Sequence, residues 1–323
     1  MKSILLVRKG ITLHILDRFY DSICHHLGNC NLHQLKSEEE RYLKRYFRDI
    51  NTSHYDRIIL LLRAKYMMKQ VGFLKTLPNL CFLEHDAWMN DYHESMYRGK
   101  FSRLYRALPW ARIISSGYLV SEKLKAEGFD AVFVPKGYDQ TMLSNKRLER
   151  DIELGFIGTT SHKTYRKRRE LLEQLARCEN LLVRRTQPGQ EYLDILNRIK
   201  IFVSADVGFG EYMAKNFEAM ACGCVVIAWD QGEKENRVLG FEDMKNIVLY
   251  RHKEELVEKL VFLRQNPMVT QQIAQAGQEL AESQYSLERL GGMVAEAVKT
   301  PLRKKKESRW LGLFRRHSLD QAV

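Results

Sequence analysis

Short apolar runs recur along this chain at regular intervals, and they do so in two series. SILLV (3–7), RIILLL (57–62), NLCFLEH (79–85), ARIISS (111–116) and AVFVP (131–135) form the first; IELGFIG (152–158), LLVRR (181–185), KIFVSA (200–205), CVVIAW (224–229) and NIVLY (246–250) form the second. Runs this short and this continuously apolar suit strands buried on both faces. Between them lie helical patterns with charged faces, among them HLGNCNLHQLKSEEERYLKRYF and TYRKRRELLEQLARC, the latter with Leu171, Leu172 and Leu175 on one side. Strand–helix alternation of this kind predicts an α/β fold with a doubly wound parallel sheet, and two series predict two sheets. Two such sheets facing each other leave a cleft at the C-terminal ends of their strands.

The polar stretch PKGYDQTMLSNKRLERD, which begins at Pro135, carries almost no apolar pattern and marks the junction. Residues 1–140 are therefore expected to form a first Rossmann-like domain and residues 141–285 a second. A helix over 286–300 and a basic tail over 301–323 follow. A chain of 323 residues with 45% hydrophobic content is long enough for two cores. None of its six cysteines forms a C-x-x-C pair, which leaves no zinc spacing and no disulfide framework. The opening MKSILLVRKGITLH reads as a buried strand rather than a leader, and no stretch reaches the roughly 18 apolar residues of a membrane span. A reducing, cytoplasmic setting is the expectation. The net charge of +12 points to anionic partners.

One segment carries chemistry. In GFGEYMAKNFEAMACG (208–223) a lone carboxylate, Glu218, precedes small and apolar residues. Glycines 208 and 210 permit a tight turn, and a helix is expected from near Tyr212 to Cys222. The first turn of such a helix offers unpaired amides and a positive dipole end, a ready diphosphate site. Lys215 adds a charge in that turn, and Glu218 on the same face can accept hydrogen bonds from two ribose hydroxyls. The competing reading is a plain i,i+3 ion pair between Lys215 and Glu218, worth about 0.2–0.5 kcal/mol.

The string Glu218-Ala-Met-Ala-Cys-Gly-Cys-Val-Val-Ile-Ala resembles the signature of GT-B glycosyltransferases, in particular the retaining glycosyltransferase family four and its short bacterial members. ARIISSGYLVSEKLKAEGFDAVFVPKGYD (111–139), LEHDAWM (83–89), ELGFIGTTSHKTYRKRREL (153–171) and QYSLERLGGMVAEAV are similar to further passages of that family. The resemblance implies two Rossmann-like domains facing across a cleft, a closing helix that returns to the first domain, and metal-independent transfer from a nucleotide-sugar, a UDP- or GDP-sugar. It implies that Glu218 binds the donor ribose and that amides of Ala214, Lys215, Asn216 and Phe217 hold the diphosphate. Gly158, Thr159 and Tyr212 complete the expected donor side. His85 and Asp86 would face the transferred sugar, although Asp86 can equally cap the following helix. Lys163 and Arg168, with Arg169 as the alternate, would stabilise the departing diphosphate. Three departures stand out, the first being that the usual proline after the small-residue helix is Val225. The second family carboxylate falls on Gly210, with Glu211 as the nearest substitute, and a turn asparagine is replaced by Lys136.

Lys9 and Gly10 follow the first strand and are candidates for an acceptor-side loop, or a simple turn. The tail PLRKKKESRWLGLFRRHSLDQAV sets apolar residues among cations, a pattern suited to an anionic membrane surface or to plain solvation. The expected acceptor is a glycan or glycolipid, such as a lipid-linked glycan, a lipopolysaccharide core or a surface polysaccharide. Two rivals are a nucleotide-sugar-binding protein without catalysis and a nucleic-acid-binding protein. No nucleic-acid-binding motif accompanies the charge, so no nucleic acid partner is expected.

Overall fold

The computed structural model describes residues 1–10 and 16–305. In the first domain the strands are β1 (Lys2–Arg8), β2 (Asn29–Leu35), β3 (Arg57–Leu61), β4 (Leu80–Glu84), β5 (Arg112–Ser115) and β6 (Asp130–Phe133). They form one sheet in the order β2-β1-β3-β4-β5-β6, and every pairing is parallel. The second sheet contains β7 (Ile152–Ile157), β8 (Leu181–Arg184), β9 (Ile199–Ser204), β10 (Val225–Trp229) and β11 (Val248–Tyr250), ordered β11-β10-β9-β7-β8 and again parallel. Central strands such as β1 and β4 are buried on both faces, which is why they read as unbroken apolar runs.

One element differs from the sequence expectation. The stretch around NCNLHQL, expected to be helical, is the edge strand β2. The helix Asp17–Leu27 stops at Gly28, whose φ of 76° favours glycine. At the edge of the sheet the side chains of β2 are largely half-exposed, so it lacks the apolar signal of a central strand.

The closing helix Leu287–Lys299 packs on the first domain. Leu287, Leu290, Val294 and Val298 share a core with Phe19, Tyr20 and Ile23 of the helix Asp17–Leu27. Gly291 lets the two helices approach: a Cβ there would sit 2.1 Å from Ser22 Oγ. Arg112 and Arg57 then donate to the last carbonyls of the closing helix, at 2.7 Å from Ala297 O and 2.7 Å from Val298 O. The linker after β6 pairs with the entry to this helix through Tyr138 N to Tyr285 O (3.0 Å) and Leu287 N to Tyr138 O (2.9 Å).

Candidate functional site

The helix Ala214–Ala221 follows β9 and the loop Gly208–Gly210, where both glycines hold positive φ, 75° and 73°. Its N-cap residue Met213 is extended and makes no side-chain cap, so no capping side chain occupies the first amides. This end of the helix opens on a cavity of about 400 Å³ between the domains. The second domain contributes Thr159, Arg168, Asp206, Ala214, Lys215 and Glu218 to its wall. The first domain and linker contribute Leu16, Phe19, His85, Lys136 and Gly137, and the closing helix contributes Leu287 and Leu290.

Glu218 is 3% exposed, and one carboxylate oxygen accepts the Tyr192 hydroxyl. Lys215 does not pair with Glu218 among the described residues; its ammonium lies 4.6 Å from the centre of the Tyr192 ring. The i,i+3 ion pair is thus replaced by two side chains that share Tyr192 and both line the cavity. Arg168 is buried, pairs with Asp206, donates to Thr159 O at 3.1 Å and stacks 4.3 Å from the Tyr165 ring centre. Among the described residues its Nε–H has no partner, which leaves an unmet donor beside the cavity.

Contacts between the domains flank the cavity. Phe209, between the two glycines, stacks on Trp88 with centroids 4.0 Å apart. Glu235 accepts the Tyr118 and Leu119 amides at 3.2 and 2.8 Å. Lys136 pairs with Glu211, whose carboxylate also meets Ser116 Oγ at 3.2 Å. Burial raises the Glu211 carboxyl, and the Lys136 charge opposes that rise. Burial, then Lys136, lowers the His85 imidazole to about 3, so His85 is neutral near pH 7. Burial also lifts Glu84 to about 8 and Asp86 above its ordinary value.

Residues 143–290 match a family model described as glycosyl transferase-like. The chain has the two-sheet GT-B fold, and its second half is glycosyl transferase-like. Its fold is similar to that of Anabaena HepE in complex with UDP and glucose, at 14% identity and a TM-score of 0.68 over 93% of this chain and 100% of that one. Sucrose-phosphate synthase from Thermosynechococcus elongatus is similar at 11% identity and a TM-score of 0.63, over 98% of this chain and 100% of that one. A glycosyltransferase from Rickettsia africae is similar at 12% identity and 0.60, over 92% and 98%. A search of curated protein sequences found no match.

The interdomain cavity gathers Thr159, Ala214, Lys215, Glu218, Arg168 and His85 from the sequence candidates. Gly158 lies beside it, with a built Cβ 3.4 Å from Lys215 Cε. Other candidates fall elsewhere. Lys163 is exposed in a single 3-10 turn, because the helix that buries Arg168 starts only at Arg166. Arg169 donates to Thr160 O at 3.1 Å and does not line the cavity. Tyr212 bonds Asn236 at 2.5 Å within the second core, and Phe217 packs on Tyr285. Asn216 turns back on the helix start: its amide and its side chain both donate to Met213 O, at 3.0 and 2.9 Å. Asp86 makes no side-chain cap, and Glu211 is held by Lys136 rather than presented to the cavity. Lys9 donates its amide to Leu35 O at 2.7 Å, and neither Lys9 nor Gly10 lines the cavity. The tail beyond residue 305 lies outside the described residues.

Sequence reasoning missed Lys136 as a cavity residue, Asp206 and Tyr192. Asp206 carried a usable signal, since it stands just past the end of β9. Tyr192 carried none. Among the described residues no group of three or more His, Cys, Asp or Glu could hold a metal ion, and no helix is long and apolar enough to cross a membrane.

Proposed function

We propose that this chain is a glycosyltransferase that moves a sugar from a UDP- or GDP-sugar to a hydroxyl of a glycan or glycolipid, with retention and without a metal ion. The observation that carries the reading is the uncapped start of the helix Ala214–Ala221, with Lys215 and Glu218, on the wall of the interdomain cavity. In this reading the Ala214 and Lys215 amides and the Lys215 ammonium hold the diphosphate, and Glu218, oriented by Tyr192, accepts the ribose hydroxyls. Arg168 supplies charge to the departing phosphate; one such donor in a closed site is worth about 3 kcal/mol. Neutral His85 offers a hydrogen bond to the transferred sugar without adding charge. The similarity to a structure holding UDP and glucose supports a UDP-sugar first.

The test is a thermal-shift screen against UDP-, GDP-, ADP- and CMP-sugars, followed by a transfer and hydrolysis assay with the donor that binds. One donor class is expected to raise the midpoint, and Glu218→Ala to abolish the rise. Absence of any shift would overturn the donor site. A shift with no transfer or hydrolysis would favour a binding protein without catalysis. The basic residues 301–323 suit an anionic membrane surface, and their removal should release the chain from phosphatidylglycerol vesicles.

A further inference from the structure

The helix Asp17–Leu27 ends close to the edge strand β2, and this brings two thiols together. Cys24 Sγ and Cys30 Sγ are 3.1 Å apart, and both residues are half-buried, within reach of a small solute. Among the described residues the other four cysteines lack this combination: Cys81, Cys222 and Cys224 are buried, and Cys178 is exposed without a neighbouring thiol. A disulfide needs sulfurs about 2.05 Å apart, so the pair must close by about 1 Å. The turn around Gly28 and the edge position of β2 leave room for that movement.

We propose that Cys24 and Cys30 form a site of reversible thiol–disulfide exchange with small disulfides such as oxidised glutathione. Cys24 loses its proton to solvent, its thiolate attacks one glutathione sulfur, and the first glutathione thiolate leaves. Cys30 then loses its proton to solvent and attacks the Cys24 sulfur of the mixed disulfide, releasing the second glutathione thiolate. Both leaving thiolates take up a proton. Two electrons pass from the two cysteines to the glutathione disulfide. The assignment of Cys24 as the attacking group agrees with its hydrogen bond to Cys30, which lowers the Cys24 thiol and raises that of Cys30. The inference rests on the first domain alone and is independent of the donor site.

Trypsin leaves both cysteines in one peptide, Phe19–Lys36. The full chain is incubated with oxidised glutathione, alkylated, digested without reductant and measured by mass spectrometry. The expected result is a Phe19–Lys36 peptide that has lost two hydrogens and carries no alkyl group, and that gains two alkyl groups after reduction. Cys30→Ser should instead trap a lasting glutathione adduct on Cys24. A wild-type peptide carrying two alkyl groups, or two stable glutathione adducts, would overturn the proposal.

Discussion

Replacing Lys136 with methionine removes the only cation paired with Glu211 among the described residues and keeps most of the side-chain volume. Glu211 is 1% exposed and would keep only Ser116 Oγ, at 3.2 Å. A buried carboxylate without a counter-charge takes up a proton instead. Its ordinary value is 4.5. Holding it protonated at pH 7 costs about 1.4 kcal/mol per pH unit above that value, or about 3.5 kcal/mol, and the native chain, whose Glu211 is already raised by burial, bears part of that cost. The sign is fixed by linkage. A carboxyl whose folded pKa is raised contributes no penalty below its unfolded value, and the penalty grows as pH rises toward the folded value. The lysine-deleted chain should therefore lose at most about 3.5 kcal/mol relative to the native chain at pH 7 and little near pH 4.5. Loss of the Lys136 charge also relieves His85 on the acid side, which acts in the same direction. Urea unfolding of both chains at the two pH values measures this. The double variant Lys136→Met with Glu211→Gln should recover much of the loss. An equal cost at both pH values would refute the reasoning, because lost packing does not titrate.

Three further outcomes are expected. Glu218→Gln should weaken UDP binding about 10- to 100-fold by calorimetry, the loss of charge-assisted hydrogen bonds worth about 1.5–3 kcal/mol, and Tyr192→Phe should weaken it less. The folded chain should lose stability as pH rises from about 6.5 to about 8, because burial raises Glu84 to about 8 while the His85 contribution lies at lower pH; Glu84→Gln should flatten that slope in pH-dependent unfolding. Gly291→Val should destabilise by about 1–3 kcal/mol in urea unfolding, since a Cβ there meets Ser22 Oγ at 2.1 Å and forces the closing helix off the first domain.

Most strands legible in the sequence have a uniform environment, although the edge strands β6 and β8, short and apolar but only partly buried, were legible too. β1, β3, β4, β9 and β10 are buried along most of their length, and apolar content alone marks them. β2 was not legible because its half-exposed side chains dilute the signal and its neighbouring charges fit a helical period. At the site, Glu218 and Lys215 were legible because one helical turn fixes their geometry. Arg168 was separable from Lys163 only in three dimensions: a helix starting at Arg166 turns one inward and leaves the other in a preceding turn. Tyr192 reaches Glu218 from a different helix, and no local pattern encodes that approach.

Two of the departures from the family pattern, at Lys136 and Glu211, explain each other. Read singly, a lysine in place of the turn asparagine and a carboxylate one residue late both look like damage to a donor site. In the fold they are one feature, an ion pair across the domain junction with side chains 9% and 1% exposed. Either residue alone would bury a charge without a partner, which is strongly destabilising, whereas together each supplies the other's counter-charge. Lys136 belongs to the linker leaving the first domain, and Glu211 directly follows the loop that sends Phe209 onto Trp88. The pair therefore fastens the loop before the helix Ala214–Ala221 to the opposite domain. The carboxylate that the family pattern would set against the sugar is, one residue later, part of what sets the two walls of the cavity against each other.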